Sequence, residues 1–201
     1  MKLSSIRRRV LAAALIPAAA AVTVAAARYE APESAPATAR RASLRLHADI
    51  SQRQLHLYSN GELVRSYPVA VGTAADPTPR GTFSIRKLVW NPAWVPPDEK
   101  WAKNKTAKAP GEKGNPMKVV KIFFREPDYY IHGTGEVSSL GKAASHGCLR
   151  MAPSQAAEVG QYLMDHGGEP RPESWFRRIW RFRSKTQVIY LDNPISLEIT
   201  G

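Results

Sequence analysis

The sequence predicts a mainly β fold, and three observations support this prediction. Apolar and polar residues alternate from Leu44 onward, which is the period of a half-buried strand. The pair Asn60-Gly61 interrupts that alternation and is typical of a tight hairpin turn. Helical spacing of apolar residues is confined to short stretches, of which Pro153–Asp165 is the clearest. We therefore expect a domain built on a sheet, with a short helix packed against it.

Residues 1–27 have the pattern of an export signal. Lys2 and Arg7-Arg8-Arg9 precede an apolar, alanine-rich run, and the small residues before Ala27 suit cleavage there. An uncleaved membrane anchor is the alternative, because about 18 apolar residues can just span a bilayer. The three arginines also resemble a twin-arginine signal. We expect export to the periplasm or cell envelope, as a soluble or an N-terminally anchored protein.

Residues 28–43 are rich in Ala, Pro and charge and have no periodicity, so they are expected to form a flexible tether. The whole chain of 201 residues carries a formal charge of +12, and +8 remains without residues 1–27. This positive charge predicts anionic partners. Nucleic acid is one of them, but the export signal argues against it.

The folded part is expected to be one domain over residues 44–191, including a basic insertion at 166–185, with a C-terminal extension at 192–201. Thr78-Pro79-Arg80-Gly81 reads as a turn. Pro153 suits the first turn of the predicted helix. The predicted strands are Leu44–Ile50, Leu55–Leu57, Val64–Val71, Thr82–Ile85, Val119–Phe124, Tyr129–His132, Gln187–Leu191 and Ile195–Ile199.

A long loop is predicted between Trp90 and Lys118, because its proline density forbids a central strand. A loop of this length in a compact domain is often a lid or a binding wall. The alternative is a solvated loop that Trp94 and Trp101 fasten to the core.

The segment Arg171–Lys185 is both basic and aromatic. Trp175, Phe176, Ile179 and Trp180 fall on one face of a short helix, with the arginines off that face. Such a segment can lie on an anionic membrane surface. A helix docked on the domain, with solvated arginines, is the competing interpretation.

The chemistry-bearing stretch is Ile131–Met151, which contains Cys148, the only cysteine of the chain. A lone cysteine near His132 and His146 is a candidate nucleophile, since an imidazole can lower the pKa of the thiol or take its proton. Free cysteine is otherwise often inert core packing. Here the neighbours are small and polar, and an unpaired thiol in an oxidising compartment is a liability unless it functions. We expect acyl transfer by Cys148.

The residues alone leave open which histidine is the base. His146 and Cys148 lie on one face of an extended segment, whereas His132 reaches the thiol only if the loop folds back. Gly147 allows a positive φ, and backbone N–H groups at such a bend can hold an oxyanion.

The pattern His132-Gly133-Thr134 followed by Ser145-His146-Gly147-Cys148-Leu149-Arg150-Met151 closely resembles the signature of L,D-transpeptidase catalytic domains (YkuD-like). The resemblance implies an L,D-transpeptidase-like β-sandwich with one short helix packed after the motif. The family commonly has only a short link at residues 171–185, so a second, basic helix there would be a departure from it. It assigns the proton transfer to His132, whose ring the backbone carbonyl of Gly133 would orient. His146 would line the site.

The resemblance also implies the substrate. Cys148 would form an acyl-enzyme from a peptidoglycan stem tetrapeptide, and an amine of another stem, a lipoprotein lysine, a free D-amino acid or water would accept the acyl group. Water as acceptor would give L,D-carboxypeptidase activity. Such a protein acts in cell-wall biogenesis and cell shape, is acylated by carbapenems, and needs no cofactor.

Four further residues are candidates for substrate binding: Arg150, Ser145, Thr134 and Trp94. Arg150 suits a substrate carboxylate or an anchor of the loop. Ser145 is expected to hydrogen-bond within the loop rather than act as a nucleophile.

Two other functions compete with this one. A zinc hydrolase would use His132, His146 and Cys148 as three ligands and leave a position for water. A non-catalytic wall-binding module would keep the motif without its chemistry.

Overall fold

The computed structural model describes residues 43–201. Residues 1–42, which hold the predicted export signal and almost all of the predicted tether, lie outside the described residues. Across residues 43–201, no helix is long and apolar enough to cross a membrane.

The described residues form ten strands and two α-helices, with 3-10 turns at Lys100–Ala102 and Val137–Ser139. The strands are β1 (Leu44–Asp49), β2 (Gln54–Ser59), β3 (Glu62–Pro68), β4 (Val71–Gly72), β5 (Gly81–Trp90), β6 (Lys118–Arg125), β7 (Tyr129–Gly133), β8 (Ala143–Ser145), β9 (Leu149–Met151) and β10 (Gln187–Thr200). The helices are α1 (Pro153–Gly167) and α2 (Glu173–Arg181). The predicted mainly β fold, with a helix after the motif and a second basic helix, is confirmed.

Eight strands form one sheet in the order β3-β2-β1-β10-β5-β6-β7-β9, and β4 pairs with β8 in a small second sheet. In the large sheet, β1 with β10 and β7 with β9 are parallel pairs, and the other neighbours are antiparallel. A bridge joins Ala70, just beyond edge strand β3, to Arg150 in the opposite edge strand β9. The sheet therefore curves back so that its two edges approach each other.

Helix α1 covers one face of the sheet. Its buried positions follow the helical spacing on which the prediction rested, with Val159 and Leu163 completely buried. Gly160 allows the helix to approach the sheet closely, because a Cβ at this position would lie 2.9 Å from the ring of the buried Trp90. Gly168 ends α1 in the left-handed region with φ 96.

Helix α2 docks on the same core through part of its apolar face. Phe176 and Ile179 are buried, and the ring of Phe176 packs edge-on against Trp90. Trp180 stays 38% exposed, so the predicted apolar face is divided between core and surface. The Asn91 side chain fixes the end of this helix, since its Nδ2 donates to the carbonyl of Ile179 at 3.0 Å.

The last described strand differs from the prediction. The sequence predicts two strands here, Gln187–Leu191 and Ile195–Ile199, with the domain ending at Leu191, whereas β10 is a single strand to Thr200 with one irregularity between Tyr190 and Ile195. Pairing explains the difference: β10 lies between β1 and β5, and both neighbours hydrogen-bond to it beyond residue 194. A domain boundary at Leu191 would cut this strand.

The loop between β5 and β6 is held by its own polar contacts. Trp94 is buried and pairs through its backbone with Lys108. The buried Asn115 donates to the carbonyls of Pro92 at 3.0 Å and Ala109 at 2.9 Å. These bonds give the loop a defined shape, which makes it one wall of the cavity described next.

Candidate active site

The motif is divided between two neighbouring parallel strands. His132 lies in β7, and Cys148 directly precedes β9. The register pairs Ile131 with Leu149 and His132 with Arg150, which places Cys148 beside Tyr130. Because side chains alternate across a strand, His132 and Tyr130 share one sheet face. The sheet pairing thus brings together residues that are 16 positions apart in the sequence.

Cys148 and His132 line a single cavity of about 1160 Å³. One wall is the sheet face formed by β6, β7 and β9, and the other is the loop between β5 and β6. Five other side chains of the predicted site also line this cavity: Thr134, Ser145, His146, Arg150 and Trp94.

The His132 ring is fixed in one orientation. Only 3% of the residue is exposed, and its Nδ1 lies 2.9 Å from the carbonyl oxygen of Gly133. A carbonyl can only accept, so Nδ1 carries the proton and Nε2 keeps its lone pair. Burial lowers the pKa of His132 to about 3; the hydrogen bond to Gly133 opposes this shift, and the charges of Arg150 and Lys121 contribute to it. The ring is therefore neutral and able to accept a proton through Nε2.

The Cys148 thiol is protonated at rest. The residue as a whole is half-buried, but its sulfur is enclosed by neighbouring groups, and this burial raises the pKa of the thiol to about 11. The sulfur donates to the Asp128 carbonyl oxygen at 3.3 Å. Tyr130, Lys121 and Arg150 act in the opposite direction and lower the pKa. The site thus contains a neutral thiol and a neutral imidazole rather than a preformed ion pair.

The bend before Cys148 depends on Gly147. Its φ of 96 is a left-handed conformation that side chains rarely adopt, and a Cβ there would lie 2.7 Å from the Tyr129 ring. Ser145 is 1% exposed and donates through Oγ to the Cys148 carbonyl oxygen at 2.6 Å. This hydrogen bond closes the loop around the cysteine, and the serine hydroxyl is occupied as a donor.

His146 lies at the mouth of the cavity rather than against the sheet. Its ring stacks on Trp101 with centroids 3.9 Å apart and an interplanar angle of 15°. Its Nε2 lies 4.0 Å from a carboxylate oxygen of Asp76. The stack connects the motif to the loop between β5 and β6, so His146 joins the two walls.

Arg150 and Thr134 lie on the opposite side of the thiol. The guanidinium Nη1 of Arg150 donates to Glu136 at 2.7 Å, which ties Arg150 to the loop after β7. The Thr134 hydroxyl accepts the Glu136 N–H at 3.1 Å, and its own N–H donates to Met151 at 2.9 Å. These contacts anchor the loop, while both side chains still face the cavity.

Two residues that the sequence did not single out, Lys121 and Tyr130, complete the wall around the sulfur. Lys121 pairs with His132 across β6 and β7, and its Nζ lies 4.7 Å from the centroid of the Tyr130 ring. The Tyr130 backbone N–H and hydroxyl both lower the pKa of the Cys148 thiol. Strand alternation could have indicated Tyr130, since it lies two residues before His132. Lys121 requires the β6–β7 register, which the sequence does not supply.

The donor atoms of the described residues do not converge as a metal site. Over residues 43–201, no three His, Cys, Asp or Glu side chains are grouped closely enough to hold a metal ion. His146 is stacked on Trp101 at the mouth, and Nδ1 of His132 is engaged by Gly133. The three ligands of the zinc alternative are therefore not arranged around a common point.

Comparison with known sequences gives a consistent result. The model of the L,D-transpeptidase catalytic domain family, YkuD, matches residues 43–187. The YkuD protein of Bacillus licheniformis is 35% identical over 119 residues, which is 59% of this chain and 59% of that protein. The YkuD protein of Bacillus subtilis is 30% identical over 114 residues, 57% of each chain. The chain thus matches less than two thirds of the length of these relatives.

Comparison with solved structures supports the fold. An L,D-transpeptidase from Mycobacterium smegmatis has 20% sequence identity and a TM-score of 0.51, covering 80% of this chain and 59% of that one. L,D-transpeptidase 3 from Mycobacterium tuberculosis, solved in complex with a faropenem-derived adduct, has 13% identity and a TM-score of 0.50, covering 80% and 61%. At these identities the likeness concerns the arrangement of strands and helices.

Proposed function

Because the chain belongs to the L,D-transpeptidase catalytic domain family, we propose that it is a peptidoglycan L,D-transpeptidase with Cys148 as its nucleophile. The observation that carries the proposal is the shared cavity of Cys148 and His132, in which the Gly133 carbonyl fixes the imidazole. The family supports a transpeptidase acting on peptidoglycan peptides. The covalent acyl-enzyme and the roles of the individual residues are parts of the proposal.

The first step transfers the thiol proton to His132. Nε2 accepts it while Nδ1 keeps donating to Gly133, and the sulfur attacks the carbonyl carbon that precedes the terminal residue of a stem tetrapeptide. The protonated ring then gives its proton to the departing amine, which leaves a thioester on Cys148. The low pKa of His132 favours this second transfer, because the imidazolium is unstable in its buried position.

The oxyanion that forms during the attack needs donors aimed at it. Gly147 places backbone N–H groups at a left-handed bend directly before the nucleophile. A side chain at Gly147 would collide with Tyr129, so the bend keeps its shape only with glycine. Arg150, Thr134 and Trp94 line the same cavity and are proposed to contact the stem peptide.

The thioester is resolved by the reverse use of the same groups. An acceptor amine attacks while His132 takes its proton, and the thiolate leaves and is reprotonated. An amine of a second stem would give a 3→3 cross-link, a lipoprotein lysine would give protein attachment, and a free D-amino acid would give exchange. Water would give L,D-carboxypeptidase activity. Each acceptor uses the same two side chains.

The location follows from the proposed substrate. Peptidoglycan lies outside the cytoplasm, and the pattern of residues 1–27 suits export with cleavage near Ala27 or retention as an anchor. We further propose that α2 contacts an anionic membrane surface. The exposed Trp180 and Phe182, 38% and 47% accessible, lie among arginines on and after this helix, which favours that contact.

The test is intact mass spectrometry of the purified protein after mixing with a carbapenem. We expect one covalent adduct on the parent and none on Cys148→Ala, because the sulfur is the group acylated. Ser145→Ala is the matched control, since its hydroxyl is occupied by the Cys148 carbonyl, and it should still form the adduct. An adduct on Cys148→Ala, or none on the folded parent, would reject the proposal.

A further inference from the structure

Lys121 is a cation inside the candidate active site without a carboxylate partner. It lies on β6, lines the cavity and is half-buried, and burial lowers its pKa. Within residues 43–201, the one group that raises the pKa of Lys121 is Cys148, which acts on it when the sulfur is ionised. A lysine in such a position is normally paired or deprotonated. Its placement beside an ionisable sulfur therefore requires an explanation.

The Tyr130 ring holds Lys121 in place. The Nζ of Lys121 lies 4.7 Å from the ring centroid, within the range of a cation–π contact. The same ring stands edge-on to His132 with centroids 5.5 Å apart. Because the Tyr130 hydroxyl and N–H also interact with Cys148, one residue touches the cation, the base and the nucleophile.

The register of the sheet makes this arrangement rigid. Lys121, His132 and Arg150 are paired across β6, β7 and β9, and form one row on the sheet face. Phe123 and Tyr130 form the next row, with Cys148 beside Tyr130. His132 thus lies between the two cations in its own row, and Cys148 lies in the neighbouring row, next to both Tyr130 and the strand that carries Arg150.

Arg150 is the less available of these two cations. Its guanidinium is paired with Glu136 at 2.7 Å, which neutralises part of its charge. The other titratable groups near the sulfur are Asp128 and Tyr130 from the β6–β7 turn and β7, and His132. The remaining charged or titratable residues that line the cavity are Asp76, Asp98, Glu99, Lys105, Lys118, Tyr129 and His146.

We propose that Lys121, held on the face of the Tyr130 ring, is the cation that stabilises the Cys148 thiolate, with the Tyr130 hydroxyl as a second donor to the sulfur. When the thiol proton moves to His132, charge appears on a sulfur that is enclosed by protein. An opposite charge within about 4 to 6 Å lowers the pKa of such a group by about 1 to 3 units. Lys121 is a positioning residue in this scheme, since it acts through the nucleophile.

The purpose of this stabilisation rests on the proposed transpeptidase function, but the ionisation itself is measurable without any peptide. The rate of alkylation of the full chain by iodoacetamide between pH 7 and pH 9, where it is proportional to the thiolate fraction of the only thiol, reports the difference in the pKa of that thiol between variants. The reaction forms a carbon–sulfur bond and releases iodide, so neither His132 nor an acceptor is required.

Lys121→Met removes the charge and keeps the length of the side chain. We expect the thiol pKa to rise by at least about one unit, and alkylation at pH 7 to slow by about tenfold or more. Lys121→Arg should keep the pKa near that of the parent. Tyr130→Phe should raise it by a smaller amount, because the hydroxyl is lost while the ring remains.

Lys118→Met is the matched control. It removes the same charge from the same strand and the same cavity, but Lys118 pairs with Gly133 and does not act on the sulfur. Its thiol pKa should equal that of the parent. If Lys121→Met does not fold, as judged by circular dichroism, Lys121→Gln replaces it with the same expectation.

A thiol pKa that is equal in the parent and in folded Lys121→Met would overturn the inference. A rise of the same size in Lys118→Met would also overturn it, since the effect would then be general to charge in the cavity. Acylation by a carbapenem is scored separately. If the thiol pKa rises in Lys121→Met but the parent is not acylated by the carbapenem, only the proposed function is rejected. If the parent is acylated but its thiol pKa is unchanged in Lys121→Met, only this inference is rejected.

Discussion

The buried, neutral state of His132 makes the free energy of unfolding depend on pH. Burial lowers its pKa from 6.5 to about 3, so between these pH values His132 is neutral in the folded protein and protonated in the unfolded chain. Between those two values the unfolded state binds more protons, and the free energy of unfolding therefore falls as the pH falls. Above pH 6.5 neither state is protonated at this residue, and the penalty is absent.

This linkage predicts the pH dependence of stability. We expect the parent to lose more free energy of unfolding between pH 7 and pH 4 than His132→Gln, with a difference on the order of a few kcal/mol. Urea unfolding at both pH values measures it. Equal losses for parent and His132→Gln would contradict the expectation.

At the scale of residues, the sequence indicates the groups that are proposed to react, but not the charged residues that surround them. Cys148 and His132 stand out by residue type and spacing, and they do line one cavity. Lys121 does not stand out, because it is one of many lysines and its role depends on the strand beside it. Asn91 is similar, since its side chain caps a helix end 88 residues away.

At the scale of elements, the helices show how far periodicity carries. The spacing of Pro153–Asp165 predicted α1 within two residues of its observed end at Gly167. Gly160 weakens that prediction as a poor helix former, but the structure shows why it occurs there, since the Trp90 ring occupies the space of a side chain. The spacing of apolar residues therefore predicts α1, but the presence of Gly160 is explained only by its packing against Trp90.

The sequence of α2 allows two interpretations, a helix docked on the domain and a membrane contact, and the two faces of the helix correspond to one each. Phe176 and Ile179 dock on the core, as expected of a helix packed on the domain. Trp180 and Phe182 remain partly exposed beside arginines, as a membrane contact would require. The buried half is fixed by contacts with Trp90, so a membrane could use only the exposed half.

The exposed half of α2 predicts binding to anionic vesicles. For the chain lacking residues 1–27, replacing Arg177, Arg178 and Arg181 with Ser should reduce sedimentation with phosphatidylserine vesicles by on the order of a hundredfold, at about 1 kcal/mol per arginine. Neutral vesicles should bind neither protein.

The control removes equal charge elsewhere. Replacing Lys100, Lys103 and Lys105 with Ser changes the net charge by the same amount in the loop between β5 and β6. This variant should sediment like the parent. Unchanged sedimentation of the arginine variant would reject membrane contact through α2.

At the scale of the whole molecule, β10 is the strand that joins the sheet. It lies between β1 and β5, so its hydrogen bonds join the strands on its two sides, which otherwise meet only at edges joined by the Ala70–Arg150 bridge. The sequence could not reveal this, because Pro194 interrupts the strand pattern and reads as its end. The structure accommodates the interruption as a register shift between Tyr190 and Ile195.

This arrangement predicts that a chain ending at Leu191 does not fold. The truncation removes the buried Ile195, Leu197 and Ile199, and such residues contribute about 2 to 5 kcal/mol each when cut to alanine. Their sum is comparable with the whole stability of a typical domain, about 5 to 15 kcal/mol. Thermal unfolding followed by circular dichroism should show no cooperative transition, whereas a chain ending at Thr200 should melt like the parent. A cooperative transition at the parent's temperature would contradict this prediction.

The position of β10 also orders events during synthesis. A ribosome delivers β1 early and the segment Gln187–Thr200 more than a hundred residues later, yet these two strands lie side by side. Until that segment emerges, the first hairpin has no neighbour on its open edge, and the chain stays unfolded. A chain that has not yet folded can pass through a translocation channel, and this is the route that the proposed export would use.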